Sequence, residues 1–311
     1  MKTKHALPGL ISGLLLLAAG TAQTYAGLLA PAAPGAQLYV PNTNGNDVEK
    51  FTTGGVGSLF ATGVPSARGL AFDSAGNLFV SNINSNTIMK FTPGGAGSVF
   101  ASTNVNVPET LAFDGAGNLY VANRGNDTIQ KFSSTGLDLG VFADIADGVS
   151  TPIGLAFDNS GNLFVSNIGN TTITKLTPAG VGSVFASGGF LDTPHALAFD
   201  SAGDLYVANY FGNTIEKFTP GGVGSVFANT GNPSGLAFDS TGALFAVIGN
   251  TSVEKFSAAG ADLGVFADSS DGLNGPTYAA FAPVPEPGTA ALCGMALVGI
   301  AAVRRRRATA V

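Results

Sequence analysis

A short segment that repeats about every 40 residues constrains the fold of this chain more than any other feature. The segment is Leu-Ala-Phe-Asp or a close copy of it. Its phenylalanine recurs at spacings of 41, 44, 42 and 39 residues, at Phe72, Phe113, Phe157, Phe199 and Phe238. The chain is also rich in glycine, with 44 among 311 residues, as expected for short strands joined by tight turns. Repeats of this length with several short strands are typical of β-propellers, in which each repeat forms one blade.

The apolar second strand of each repeat indicates the number of blades. It begins at six positions, Leu38, Leu78, Leu119, Leu163, Leu205 and Leu244. The first copy has no Leu-Ala-Phe-Asp segment before it, whereas residues 278–282 at the other end read Tyr-Ala-Ala-Phe-Ala and match that segment. We therefore predict an all-β fold, a six-bladed β-propeller over residues 36–283. Its C-terminal strand completes the first blade and leaves no open edge.

The aspartate at the end of each repeated segment precedes a glycine turn, as in Asp114-Gly115-Ala116-Gly117. Aspartate at the first position of a turn accepts hydrogen bonds from the backbone that follows, and glycine adopts the positive φ that such turns require. We therefore predict that the recurring carboxylates cap turns and do not form a reactive cluster.

The repeat unit resembles that of a known class of propellers. It combines Pro-x-Gly-Leu-Ala-Phe-Asp, Gly-Asn-Leu-Tyr-Val-Ala-Asn and Asn-Thr-Ile-x-Lys-Phe, and over residues 36–283 it is similar to NHL-repeat and gluconolactonase-like propellers. The resemblance implies the six-bladed fold, which hosts lyases, lactonases and pure binding modules. The second strand usually ends in aspartate in those repeats. Here it ends in Asn42, Asn82, Asn123, Asn167, Asn209 and, in the last blade, Ile248.

The N-terminus has the parts of a secretory signal peptide. Lys2 and Lys4 form a basic start, residues 7–19 are mostly apolar, and small residues lead to Ala26. We predict export, a signal peptide over residues 1–26 and a linker over residues 27–35. An uncleaved anchor is the alternative interpretation.

The C-terminus has three parts in a fixed order. Val284-Pro285-Glu286-Pro287 favours an extended chain, and residues 288–303 carry no charge and are almost long enough to span a bilayer. Four arginines follow, Arg304, Arg305, Arg306 and Arg307, and would hold that end in the cytoplasm.

This tail closely resembles the PEP-CTERM sorting signal of Gram-negative bacteria. The resemblance implies processing by an exosortase, a membrane cysteine protease, and a destination in the cell envelope or the extracellular polysaccharide matrix. Residues 284–311 would form the signal, and its transmembrane segment 288–303 would anchor the precursor in the inner membrane. An ordinary tail anchor is the alternative.

Charge and cysteine content exclude several classes of function. Residues 36–283 contain 19 acidic and 8 basic side chains, a net charge of −11, which argues against a nucleic-acid partner. The only cysteine, Cys293, lies in the apolar tail, so no intramolecular disulfide can form. With His195 as the only histidine left after signal cleavage, the body cannot supply the usual ligands of a zinc site.

One position in the repeat varies although its surroundings recur. It follows the repeat proline near the predicted channel mouth, except in the first case, where the proline is further back, at Pro65. It is occupied by Arg68, Glu109, Ile153, His195, Ser234 and Thr277. A variable position on a repeating scaffold is where function can be placed, so we predict a binding site there. Solvated loop residues at the rim of the blades are the alternative.

In an enzyme, His195 and Glu109 would form an acid/base pair and Arg68 an anion clamp. The resemblance implies the same pair, because lyases on related propellers use histidine and glutamate in the channel. Gluconolactonase-like enzymes need glutamate, asparagine and aspartate there, and only Glu109 falls at a matching position. No cofactor is predicted, although calcium would suit Glu109 with amide or carboxylate oxygens around it.

The leading hypothesis is a non-enzymatic binding or scaffold protein of the envelope or matrix, with a polysaccharide or an envelope protein as its ligand. A channel-based lyase or lactonase that uses His195 and Glu109 is the alternative. A structural matrix component with no specific ligand is a third hypothesis.

Overall fold

The computed structural model of the chain describes residues 36–283, which form six antiparallel sheets of four strands each. This confirms the all-β six-bladed propeller. Helical structure in this region is limited to two short 3-10 turns, Ile145–Asp147 and Ser269–Asp271. In this part of the chain no helix is long and apolar enough to cross a membrane. The predicted signal peptide, linker, sorting tail and transmembrane segment 288–303 lie outside the described residues.

Each blade has an innermost, a second, a third and an outer strand. The innermost strands are β24 (Ala280–Phe281), β4 (Ala67–Phe72), β8 (Pro108–Phe113), β12 (Pro152–Phe157), β16 (Pro194–Phe199) and β20 (Pro233–Phe238). The second strands are β1 (Leu38–Asn42), β5 (Leu78–Asn82), β9 (Leu119–Asn123), β13 (Leu163–Asn167), β17 (Leu205–Asn209) and β21 (Leu244–Ile248). The third strands are β2 (Asp47–Phe51), β6 (Thr87–Phe91), β10 (Thr128–Phe132), β14 (Thr172–Leu176), β18 (Thr214–Phe218) and β22 (Ser252–Phe256). The outer strands are β3 (Gly57–Thr62), β7 (Gly97–Ala101), β11 (Asp138–Ala143), β15 (Gly182–Ser187), β19 (Gly224–Asn229) and β23 (Asp262–Ala267).

The second strands form the centre of the core. Every residue of these six strands is buried, because both faces of a blade pack against neighbouring blades. Their continuous apolar sequence is explained by this burial, since neither face meets water.

The recurring aspartates cap turns, as predicted. In the second blade, Asp73 Oδ1 accepts hydrogen bonds from the backbone nitrogens of Ala75 at 3.0 Å and Asn77 at 2.9 Å, and Gly76 has a φ of +78°. The Nζ atom of Lys90, on the third strand, lies 3.6 Å from Asp73 Oδ2. Both oxygens of the carboxylate are therefore used in structural contacts, one with the turn and one with the lysine.

Rings from two neighbouring blades meet at each blade interface. Phe79 of the second strand makes edge-to-face contacts with Phe100 of its own outer strand and with Phe113 of the next innermost strand, at centroid distances of 4.8 and 4.9 Å. Such contacts stabilise by about 0.5–1.5 kcal/mol beyond the area they bury. This explains why the phenylalanine of Leu-Ala-Phe-Asp recurs.

The C-terminal strand closes the ring, as the sequence predicts. Ala280–Phe281 pairs with the first blade through Leu38↔Phe281 and Tyr39↔Ala280, and Phe281 makes the same ring contact with Phe245 that the other repeats make, at 5.1 Å. The regular ladder is shorter than the predicted strand over residues 278–282. Beyond it, the backbone nitrogen of Ala282 donates to Gln37 O at 2.9 Å.

Candidate functional site

A β-bulge at the start of the innermost strand sets the direction of the variable side chain. In the second blade, Ala67 pairs with Asn82 and Leu70 pairs with Val80. Two residues of the innermost strand, Arg68 and Gly69, therefore lie opposite the single residue Ser81. The other long innermost strands have a register shift at the same place. Because bulges re-aim side chains, the position predicted from the repeat is structurally distinct from the ladder around it.

Two buried serines hold the backbone of Glu109 and His195 in place. Ser81 Oγ accepts from the nitrogen of Gly69 at 2.8 Å and donates to Glu109 O at 2.5 Å. Ser166 Oγ accepts from the nitrogen of Gly154 at 2.7 Å and donates to His195 O at 2.5 Å. Each hydroxyl therefore joins two adjacent blades at the level of the site.

The glycine beside each of these serines is required by close packing. A Cβ atom on Gly154 would lie 2.2 Å from His195 O, and one on Gly69 would lie 2.3 Å from Glu109 O. Real Cβ atoms do not approach this closely, so the innermost strands could not pack at this distance with any larger residue.

A charge cluster lies at the channel mouth. Glu109 is 2% exposed, and its carboxylate lies 2.9 Å from Arg124 Nε and 3.7 Å from Arg68 Nε. Both Nε atoms are buried, but neither is aligned for a hydrogen bond, so the attraction is electrostatic. Burial raises the pKa of Glu109, while the positive charges of Arg68 and Arg124 act in the opposite direction.

Arg124 was not among the residues predicted for the site, and it defines a second variable position. This position follows the second strand and is occupied by Thr43, Ile83, Arg124, Ile168, Tyr210 and Gly249. The backbone nitrogen of the residue at this position donates a hydrogen bond to a carbonyl oxygen in the loop before the innermost strand. Arg124 N donates to Val107 O at 3.2 Å, and Tyr210 N donates to Thr193 O at 3.1 Å. The variation of this position between repeats is the signal that could have identified it.

His195 lies against Tyr210 in the fifth blade. The two rings are stacked, with centroids 4.7 Å apart and an interplanar angle of 13°. Burial, reinforced by the positive charges of Arg68 and Arg124, lowers the pKa of His195 to about 4. The imidazole is therefore neutral at pH 7 and has a nitrogen free to accept a proton or a hydrogen bond.

The other three predicted residues are packed inside the propeller. Ile153, Ser234 and Thr277 are all almost completely buried. Thr277 Oγ1 donates to Arg68 O at 3.3 Å, and Ile153 O accepts from Thr110 Oγ1. The structure thus pairs Arg68 with Glu109 and places the neutral His195 within the electrostatic influence of Arg68, and it buries Ile153, Ser234 and Thr277 in the blade contacts.

A cavity of about 630 Å³ lies at the opposite end of the channel, where the innermost strands finish. Its walls are apolar residues of the repeated segment, and its rim includes turn aspartates such as Asp73 and Asp239 together with Pro283. None of the predicted site residues lines it. Its carboxylates cap turns and pair with lysines, so they are not free for chemistry.

The sequence leaves open a calcium site at Glu109 with amide or carboxylate oxygens around it. Over residues 36–283 there is no group of three or more histidine, cysteine, aspartate or glutamate residues that could hold an ion. The neighbours of the Glu109 carboxylate are guanidinium groups, which repel cations.

Comparisons with known proteins agree with this architecture. The virginiamycin B lyase family matches residues 19–256, and the PEP-CTERM protein-sorting motif matches residues 283–307. The second match confirms the sorting signal, so the chain is exported and processed by an exosortase. None of the curated proteins matches the chain.

Solved structures share the fold at low sequence identity. A chain from a nidogen/laminin complex has a TM-score of 0.72 at 19% identity, covering 81% of this chain and 100% of that chain. A catalytically inactive histidine-to-alanine variant of virginiamycin B lyase from Staphylococcus aureus, with quinupristin, has a TM-score of 0.57 at 19% identity, covering 70% and 75%. A streptogramin B lyase has a TM-score of 0.54 at 17% identity, covering 81% and 74%.

Proposed function

The chain belongs to the virginiamycin B lyase family, and from this premise we propose that its propeller binds an anionic saccharide at the channel mouth. One observation carries the proposal. Residues 36–283 contain only two arginines, Arg68 and Arg124, and both lie beside Glu109 at the mouth although they come from different blades.

The charge distribution supports an anionic ligand. The body has a net charge of −11, and five of its six lysines pair with turn aspartates at the opposite ends of the innermost strands. Two guanidinium groups beside one carboxylate leave this cluster with a net positive charge, since His195 is neutral at pH 7.

The geometry of the arginines suits a carboxylate ligand. Their side chains are 29% and 36% exposed, and Glu109 is their only ionic partner in the described part of the chain. Both contacts to Glu109 use Nε, so the outer guanidinium nitrogens remain available for a bidentate carboxylate contact. Carboxylate-bearing sugars are the anions that an exported matrix protein would meet.

Calorimetric titration of the full chain with oligogalacturonate tests the proposal, with a neutral maltooligosaccharide of equal length as comparison. We expect binding of the acidic sugar only, and a loss of about tenfold or more in affinity for Arg124→Gln, equivalent to about 1.4 kcal/mol. Lys255→Gln, which removes a lysine paired with Asp239, is the control and should bind as the wild type does. Equal binding by Arg124→Gln and the wild type would contradict the assignment.

A second candidate, an elimination lyase, is favoured by the neutral state of His195. In such a step His195 removes the proton on the carbon beside a carboxylate or carbonyl group, and Arg68 and Arg124 stabilise the resulting negative charge. The C–O bond on the next carbon then breaks, a double bond forms between the two carbons, and the leaving oxygen takes up a proton from water. The loss of activity on histidine replacement in the S. aureus lyase is a precedent for a histidine-dependent reaction in this fold.

The lyase candidate is tested by following the absorbance of the new conjugated double bond with oligogalacturonate as substrate. Turnover that disappears in His195→Gln would establish the enzyme. Binding with no turnover at any pH between 5 and 9 would rule out the lyase candidate and leave binding as the only role.

The destination of the protein is also part of the proposal. We expect residues 288–303 to anchor the precursor in the inner membrane until the exosortase processes the sorting signal, and the propeller then to remain in the envelope or matrix. Fractionation of cells with and without exosortase tests this. A propeller found in the medium with its tail intact would contradict it.

A further inference from the structure

One exposed aromatic side chain, Phe211, lies in a mouth-side loop of the fifth blade, the blade that holds His195. Phe211 is 64% exposed, and Phe190, at 47%, is the only other phenylalanine or tyrosine in residues 36–283 that is not buried or partly buried. The ring of Phe190 faces the start of the outer strand instead, where a Cβ atom on Gly224 would lie 3.1 Å from it.

Asparagine side chains fix the backbone of this loop. Asn213 Nδ2 donates to Phe211 O at 3.1 Å, and Asn232 Nδ2 donates to the carbonyl oxygen of the preceding residue, Tyr210, at 2.9 Å. The rings are therefore presented on a pre-organised backbone, which lowers the entropy cost of binding a ligand to them.

The aromatic residues are continuous with the charged site. Phe211 lies edge-on to Tyr210 at a centroid distance of 5.1 Å, and Tyr210 stacks on His195. His195 in turn lies within the electrostatic influence of Arg68 and Arg124. A row of rings thus runs from the arginines outwards over the fifth blade.

Position within the repeat shows that this row is specific to one blade. The residue after the second strand is aromatic only in the fifth blade, at Tyr210, and is basic only in the third, at Arg124. The blade ladder does not need an aromatic residue there, because Gly249 and Thr43 occupy the same position in other blades. A structural role in the repeat therefore does not explain these rings.

We propose that Tyr210 and Phe211 form a stacking platform for pyranose rings of an acidic polysaccharide whose carboxylates contact Arg68 and Arg124. Flat, rigid rings with one apolar face accept the C–H face of a sugar, while the arginines select the uronic acids among the sugars. This inference rests on the proposed anion site and adds the substrate class, a polymer rich in uronic acids.

The test compares three probes on the full chain: oligogalacturonate, the maltooligosaccharide of equal length, and poly-glutamate, which has carboxylates but no sugar ring. Phe211→Ser is measured against Val226→Ser, which changes an exposed apolar residue on the outer strand of the same blade. We expect Phe211→Ser to lose about tenfold in affinity for oligogalacturonate, or about 1.4 kcal/mol, with unchanged affinity for poly-glutamate. Val226→Ser should leave both affinities unchanged.

The outcomes separate this inference from the proposed function. If Phe211→Ser binds oligogalacturonate as the wild type does while Arg124→Gln does not, the platform is wrong and the anion site stands. If Phe211→Ser loses affinity for oligogalacturonate and poly-glutamate equally, Phe211 acts only through the fold of the mouth, which also overturns the platform. If the wild type binds neither acidic probe, the anion site fails and the platform with it.

Discussion

Replacement of Ser166 by alanine is the most direct test of how this site is held. The hydroxyl is buried and joins two blades, because it accepts from the nitrogen of Gly154 at 2.7 Å and donates to His195 O at 2.5 Å. Ser166→Ala leaves one buried N–H and one buried carbonyl oxygen without this partner. The change removes no apolar contact, so the effect isolates the hydrogen bonds.

The expected cost follows from the two groups left unpaired. Each buried backbone group without a partner costs about 1–3 kcal/mol, so Ser166→Ala should lower the free energy of unfolding by about 2–6 kcal/mol. At about 2–4 °C per kcal/mol for a domain of this size, the Tm should fall by about 4–24 °C.

Differential scanning calorimetry of the purified protein measures this loss. Ser225→Ala is the matched control, because Ser225 Oγ is exposed and makes only a 3.5 Å contact with Lys217 O. The fifth blade has Ala208 at the position of Ser166, where the innermost strand has Ala196 instead of glycine, so alanine is compatible with the ladder. A Tm for Ser166→Ala within a degree or so of the wild type would refute the argument that this hydroxyl joins the blades.

Three further predictions concern closure and titration. Deletion of residues 278–282 removes the strand that pairs with Leu38–Asn42, so the ring should open and lose its cooperative unfolding transition; an unchanged calorimetric transition would contradict closure. The pKa of His195 is lowered to about 4 from an ordinary value of 6.5, so the folded state binds fewer protons. The free energy of unfolding should therefore decrease by up to about 3 kcal/mol as the pH falls from 6.5 to 4. Denaturant titrations at several pH values measure this decrease, and His195→Gln should weaken it. Burial raises the pKa of Glu216, whose Oε2 atom has no hydrogen-bond partner in the described part of the chain, so its ionised form destabilises the fold at neutral pH. Glu216→Gln should therefore raise the Tm at pH 7, by a margin that shrinks as the pH falls towards the pKa of Glu216; a lower Tm at pH 7 would show that the carboxylate is paired.

Much of the architecture could be predicted from the sequence because the same pattern of residues, which specifies one blade, occurs six times. The turn aspartates, the buried second strands and the closing strand all follow from patterns that recur locally within each period. Phe281 is an example: its place in the seam follows from its match to Phe238 and the other copies, and the structure gives it the same ring contact.

The site was only partly predictable. The variable position after the proline pointed to Arg68, Glu109 and His195, and the structure places them near one another. Arg124 and Tyr210 were missed because they belong to a second position, whose proximity to the first appears only when the blades are arranged in a ring.

The sequence by itself determined the number of blades, the strand that closes them and the exported destination, since each depends on a local pattern or on the chain ends. Only the tertiary structure decided which variable residues reach the mouth and which are buried. Ile153 and Arg124 show the reason. Burial and charge pairing depend on neighbours that are far away in the chain, and packing of adjacent blades places Ile153 in the core and Arg124 against Glu109.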